Sequence, residues 1–159
     1  REQSLLTNGK QTAGNIFNYG NDYIRDIERI IRSEVENYRL YFENSSEGLI
    51  KHWPGDYILS GWLISMKSGS QIRPHMHEKG WLSGSIYINV PQKKEINSGD
   101  LVVCIEDDAF LETNIENPKK IISVETGSLA LFPASLLHYT IPFESEKERV
   151  VLAFDVIPK

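Results

Sequence analysis

Four residues in this sequence have types and spacing that suit one piece of chemistry. His75 and His77 stand in Arg73-Pro74-His75-Met76-His77-Glu78, and His138 ends Phe132-Pro133-Ala134-Ser135-Leu136-Leu137-His138. Residues i and i+2 of a strand project to the same face, so His75 and His77 offer two imidazoles to one point. His138, on another strand, would close such a site. It also interrupts the apolar run Leu129–Leu137, where a polar ring without a partner is costly. Imidazole suits iron, zinc, copper and nickel alike, so the spacing implies a metal without naming it. Against that reading, His-x-His pairs arise by chance and an exposed strand histidine needs no ligand. His52, in Lys51-His52-Trp53-Pro54, reads as surface.

The fourth residue is Arg149, which opens the apolar strand Arg149-Val150-Val151-Leu152-Ala153-Phe154. An arginine entering a barrel interior is costly unless it meets an anion, and its planar fork fits a carboxylate bidentately. The competing reading is a strand-end arginine that reaches water or pairs with Glu146 or Glu148. Joined to three histidines, it reads as a carboxylate clamp beside a metal site.

The elements that must position these groups are mostly short strands. Residues 1–19 are polar, with turn formers at Asn8-Gly9 and Gly14-Asn15, and read as loop or the remnant of a linker. Over residues 21–43, Ile24, Ile27, Ile31, Val35, Tyr38 and Phe42 recur at three- and four-residue steps, the stripe of an amphipathic helix. Beyond Asn44 the helical period does not return. Ile58–Met66, Gln71–His75, Gly84–Val90, Leu101–Ile105, Ile121–Glu125, Leu129–Phe132, Leu136–Ile141 and Val150–Ile157 are β-branched or aromatic runs separated by turn residues. About eight strands with one helix outside point to an all-β antiparallel sandwich or barrel, with residues 20–159 as its domain.

Composition narrows the function classes. The chain has 159 residues, 40% hydrophobic and 25% charged, which fits one globular domain. A net charge of −5 disfavours electrostatic binding to nucleic acid or anionic membrane. The single cysteine, Cys104, rules out an internal disulfide framework. With no apolar run long enough for a membrane span and no signal pattern, a cytoplasmic domain is the expectation. The chain starts at Arg1 rather than Met, which reads as a piece of a longer protein.

The motifs carry a resemblance to the 2-oxoglutarate- and Fe(II)-dependent oxygenases. More narrowly, the sequence resembles a group of bacterial and phage oxygenases with a Pro-His-x-His and Trp-Leu-Ser-Gly-x-x-Tyr signature. Here these are Pro74-His75-Met76-His77 and Trp81-Leu82-Ser83-Gly84-Ser85-Ile86-Tyr87. Gly99-Asp100-Leu101, Gly127-Ser128-Leu129-Ala130-Leu131-Phe132-Pro133, His138 and Arg149 follow in order, so the resemblance runs from about Asp56 to Pro158. Domains of this group resemble appendages of tetratricopeptide-repeat proteins.

The resemblance implies a double-stranded β-helix, the jelly-roll or cupin-like barrel, with the N-terminal helix packed outside. It implies Fe(II) held by His75, His77 and His138, with 2-oxoglutarate and O2 as cosubstrates. Arg149 would clamp the distal carboxylate of 2-oxoglutarate, and the Tyr87 hydroxyl would also meet the cosubstrate. An outward-facing strand tyrosine is the plainer alternative for Tyr87. The implied activity is hydroxylation of an unknown small-molecule or peptide substrate, with release of succinate and CO2. The sequence says nothing of the substrate or the oligomeric state.

Two positions depart from the superfamily pattern. Position 77 is histidine where His-x-Asp/Glu is usual, so the facial triad of two histidines and a carboxylate becomes three histidines. Glu78 could replace that carboxylate only through a local bulge, because adjacent strand residues face opposite sides. Val151 stands where many relatives carry Ser or Thr. Histidine at position 77 also fills the place that halogenases leave open for halide.

A cupin-like metal enzyme is the alternative reading. Gly69, His75 and His77 match the first cupin motif, and Gly127, Pro133 and His138 much of the second. The expected glutamate is missing, with Trp81 and Leu82 in its place, and Arg149 has no role there. A non-catalytic barrel that holds zinc is the third reading. Trp53, Tyr57, Trp62 and Trp81 are candidate pocket walls, although aromatic residues on short strands more often belong to the core.

Overall fold

The computed structural model describes residues 5–106 and 118–159. Eight strands among them form one curled antiparallel sheet: β1 (Leu6–Gln11), β2 (Tyr57–His75), β3 (Leu82–Asn89), β4 (Leu101–Cys104), β5 (Lys119–Ile122), β6 (Leu129–Pro133), β7 (Leu137–Thr140) and β8 (Arg149–Pro158). Their order is β5-β4-β7-β2-β8-β3-β6, with β1 added against β2. The sheet folds over itself as a jelly-roll barrel, the all-β architecture expected from the strand spacing.

The long strand β2 joins the two halves. Its first part pairs with β8 from Tyr57↔Pro158 to Met66↔Arg149, and its last part pairs with β7 at Ile72↔Thr140 and His75↔His138. The sequence suggests two strands here, Ile58–Met66 and Gln71–His75, with Lys67-Ser68-Gly69-Ser70 between them. The chain does bend at Gly69, whose φ of +74° suits only glycine without strain. Neighbours keep the bent segment bonded: Gly69 N–H donates to Phe143 O at 2.7 Å and Asn8 Nδ2 to Ser68 O at 2.7 Å.

By sequence, residues 1–19 read as loop or linker remnant; for the described part, residues 5–19, the structure corrects this. Leu6–Gln11 is a strand, and Ile16–Tyr19 is a turn of 3-10 helix. Asn8-Gly9 reads as turn formers in a loop but is a bulge: the register slips between Thr7 and Gly9, and Asn8 takes a φ of +50°. A Cβ on Gly9 would lie 2.8 Å from the Ser65 carbonyl oxygen, so glycine permits the close approach to β2.

The expected helix is α1 (Asp22–Tyr41), capped by the Asn21 side chain, which accepts from Tyr23 N–H at 2.8 Å. Ile31 and Val35 are buried beneath it against Leu59, Leu82, Leu152, Phe154 and Val156. Each such side chain contributes about 1.5–3 kcal/mol on burial. Ile24, Ile27 and Tyr38 pack at the edge of this layer, whereas Phe42 lies past the helix and is 40% exposed. A one-turn helix, α2 (Gly48–Lys51), follows. No helix among the described residues is long and apolar enough to cross a membrane.

The period of two along β8 divides the molecule. Leu152, Phe154 and Val156 face α1, while Arg149, Val151 and Ala153 line the barrel cavity. On β3, Leu82 and Ile86 join the helix layer, and Ser85 and Tyr87 face the cavity. A Cβ on Gly84 would come 2.4 Å from the Phe154 ring, so the α1-facing layer is closed tightly there.

Candidate metal centre

His75, His77 and His138 meet at one end of the barrel cavity. One ligand atom from each lies within 4.8 Å of the other two, and ring centroids are 4.2 Å apart for His75–His138 and 5.0 Å for His77–His138. Pairing of β2 with β7 sets His75 directly opposite His138. His77 lies past the end of β2 in a turn fixed at both sides. Its N–H donates to Ala134 O at 3.1 Å, and its carbonyl accepts from Gly80 N–H at 3.1 Å.

Each imidazole is oriented through Nδ1. His75 Nδ1 bonds Arg73 O at 2.8 Å, His138 Nδ1 bonds Leu136 O at 3.3 Å, and His77 Nδ1 bonds Asp155 Oδ1 at 2.6 Å. A carbonyl or carboxylate oxygen can only accept, so Nδ1 must carry the proton in all three rings. Each Nε2 lone pair is thereby left for a ligand. Burial holds His138 neutral, with help from repulsion by His75 and His77, and pushes its pKa down to about 3. Burial lowers His75 as well. Three imidazoles held through Nδ1, with Nε2 facing away from those bonds, are a donor set that a divalent metal takes.

Arg149 stands on the same cavity, 2% exposed. Its guanidinium lies 5.1 Å from the centroid of the Tyr87 ring, Nη1 approaches Met66 Sδ at 3.2 Å, and Nε has no hydrogen-bond partner. Glu148, the suggested partner at the strand end, accepts instead from Ser65 Oγ at 2.8 Å. Burial lowers the Arg149 pKa, opposed by Tyr87 and Asp100. A buried guanidinium with an idle N–H calls for an anion in the cavity. Tyr87, 1% exposed, points inward; its hydroxyl interacts with Ser85 and Arg149, and burial raises its pKa.

The remaining walls are Trp62, Ile64, Ile72, Leu101, Val151 and Ala153, with Tyr139 and Thr140 of β7 beside them. Of the four aromatic candidates, only Trp62 lines the cavity, its ring 5.6 Å from His77. Trp53, Tyr57 and Trp81 pack against the layer under α1. His52 and Glu78 are exposed, and Glu78 is no part of the histidine cluster.

Two carboxylates matter to which sequence reasoning gave no role, although Asp100 stands in the Gly99-Asp100-Leu101 motif. Asp155 holds His77 and accepts from Ser83 Oγ at 2.7 Å. The signal was available, since Asp155 keeps the inward period of Arg149, Val151 and Ala153 within an apolar strand. Asp100, 1% exposed, accepts from Lys93 Nζ and from Val124 N–H at 3.0 Å, stapling the start of β4 to its neighbours.

The fold and site together define a jelly-roll barrel with three converging histidines and a buried arginine on one cavity. Residues 60–155 match the family model described as "Putative 2OG-Fe(II) oxygenase". The chain belongs to that family, whose enzymes use Fe(II), 2-oxoglutarate and O2; it is an oxygenase, and the three-histidine cluster fits iron. Its structure is similar to a prolyl-4-hydroxylase from Pseudomonas putida, with 13% identity, a TM-score of 0.57 and coverage of 95% of this chain and 71% of that one. It is also similar to a 2OG-Fe(II) oxygenase-family oxidoreductase from Burkholderia pseudomallei, with 14% identity, a TM-score of 0.49 and coverage of 68% and 48%. No curated protein matches the sequence.

Proposed function

We infer that this oxygenase hydroxylates a small-molecule or peptide substrate, with His75, His77 and His138 holding Fe(II) and Arg149 gripping 2-oxoglutarate. The observation that carries the reading is the pairing of three Nε2 donors with a buried arginine whose Nε is idle. With both bound, Fe(II) and 2-oxoglutarate supply the oxidising power: one atom of O2 enters succinate, the other enters a substrate C–H bond, and CO2 leaves.

The chain's own residues set the conditions for that reaction. Arg149, 2% exposed, accepts the distal carboxylate, where its fork matches two oxygens and little water competes. The Tyr87 hydroxyl, held by Ser85, adds a donor beside it. Nδ1–H bonds to Arg73 O, Asp155 and Leu136 O keep the three rings from turning. Trp62, Ile64 and Ile72 present an apolar wall that limits water near the metal.

Anaerobic addition of Fe(II) and 2-oxoglutarate tests the reading through the visible metal-to-ligand charge-transfer band of the complex. Wild type should develop the band, His138→Ala should lose it, and Arg149→Ala should show it only weakly. Bound metal without any band would remove 2-oxoglutarate from the assignment and favour a barrel that holds zinc.

A further inference from the structure

The three-histidine centre lacks the carboxylate that the usual facial triad contributes, yet a carboxylate stands directly behind it. Asp155 Oδ1 bonds His77 Nδ1 at 2.6 Å, and the Asp155 side chain is 12% exposed. Ser83 Oγ donates to the same oxygen at 2.7 Å and lies 3.2 Å from His77 Nδ1. Asp155 and Ser83 face each other across the β8–β3 register, so two strands hold this arrangement rather than a loop. Asp155 is outside the group whose ligand atoms converge, and it bonds Nδ1 of His77, which leaves Nε2 of that ring facing away from it.

We propose that Asp155 is the displaced carboxylate of this centre, fixing the His77 tautomer and passing negative charge through the imidazole to the metal. The inference rests on the reading that the three histidines bind Fe(II). Three neutral imidazoles and a divalent ion sum to +2; adding Asp155 restores the +1 of a site with two histidines and a carboxylate. A carboxylate hydrogen-bonded to a ligating histidine makes that ring a stronger donor. Asp155 is thus a positioning residue that replaces the missing ligand electrostatically while leaving its coordination place to histidine.

Two measurements test this in the purified protein. The first is the imidazole 1H–15N spectrum of the metal-free wild type, with the His77 signals identified by their loss in His77→Gln. His77 should show a slowly exchanging, far-downfield Nδ1–H. A His77 whose Nδ1 carries no proton, or an Nδ1–H with no downfield shift, would overturn the proposal without needing any Asp155 variant to fold.

The second is Co(II) affinity by chelator competition for wild type, His138→Ala and Asp155→Asn, with melting temperature and near-ultraviolet circular dichroism as fold controls. Asp155→Asn keeps the shape and an acceptor but removes the charge. It should weaken Co(II) binding about 10–100-fold while the fold controls stay at wild-type values. Wild-type affinity in Asp155→Asn, beside lost affinity in His138→Ala, would overturn the role of Asp155 and leave the metal site standing. Equal affinity in His138→Ala and wild type would overturn the metal site itself, and this proposal with it.

Discussion

Arg149 and Asp155 lie six residues apart on β8 and point to the same side of the strand, one lining the cavity beside Tyr87 and the other bonded to His77. At about 3.3 Å per residue their separation along the strand is about 20 Å. One strand therefore sets both ends of the site. Its other face, through Leu152, Phe154 and Val156, is fixed by α1, so helix packing and site geometry share a single rigid element.

That coupling makes the layer under α1 sensitive to small additions. Gly84→Ala would place a Cβ 2.4 Å from Phe154 Cζ and 2.8 Å from the Ala130 carbonyl oxygen. Neither neighbour has room, since Phe154 is fully buried and the other contact is backbone. The substitution should cost about 1–3 kcal/mol through overpacking, read as a lower urea midpoint. An unchanged midpoint would show that β3 and β8 can separate more easily than their packing implies.

The histidines predict an acid limit for the metal-free fold. The unfolded chain takes up a proton at His138 near the ordinary pKa of 6.5, whereas the folded protein resists until about 3. The unfolded state thus binds more protons throughout that window, and stability falls as pH drops from 6.5 towards 3. The slope is about 1.4 kcal/mol per pH unit for one proton. His75, lowered for the same reason, steepens it. Urea midpoints between pH 7.5 and 4.5 should decline below 6.5 and stay flat above it, as far as these two groups decide. His138→Gln should flatten the decline; an equally steep one would place its cause elsewhere.

Much of this architecture was legible because burial imposes a period. The stripe Ile24, Ile27, Ile31, Val35 gave α1, and β-branched runs gave most strands within a few residues. His138 and Arg149 stood out because each borders an apolar run, and His75 and His77 because their i, i+2 spacing puts both on one strand face. What was not legible depends on contacts distant in sequence. Asn8-Gly9 has the composition of a turn, and only pairing with β2 makes it a bulge. Lys67–Ser70 likewise stays bonded through Asn8 and Phe143 rather than through its own propensity. Asp155 was missed although its alternation was visible, because its partner His77 is 78 residues away.

Tyr87→Phe separates the hydroxyl from the ring. The ring would still face the Arg149 guanidinium, but its contacts to Ser85 and Arg149 would go. Losing one neutral hydrogen bond is worth about 0.5–1.5 kcal/mol. Anaerobic titration should therefore show 2-oxoglutarate affinity reduced about 3–10-fold with Fe(II) affinity unchanged. Unaltered cosubstrate affinity would make Tyr87 a core residue only.

Arg149→Met poses binding against stability in one substitution. In the ligand-free protein the guanidinium is 2% exposed, without an ion-pair partner among the described residues, and its Nε is unsatisfied. Its neighbours include Met66 Sδ, the Tyr87 ring and Val151, surroundings that suit a flexible thioether. Replacing a buried, poorly compensated charge by an apolar side chain of similar length often stabilises a fold by about 1–4 kcal/mol. Arg149→Met should therefore melt above wild type when both are ligand-free, yet gain nothing from added 2-oxoglutarate. Wild type should gain stability as 2-oxoglutarate rises in the presence of Fe(II), by the ordinary mass action of a ligand that binds only the folded state. The two melting curves should cross as cosubstrate concentration increases. A variant that melts lower than wild type without ligand would mean that the guanidinium is already satisfied in the empty cavity, and the argument for an anion there would fall.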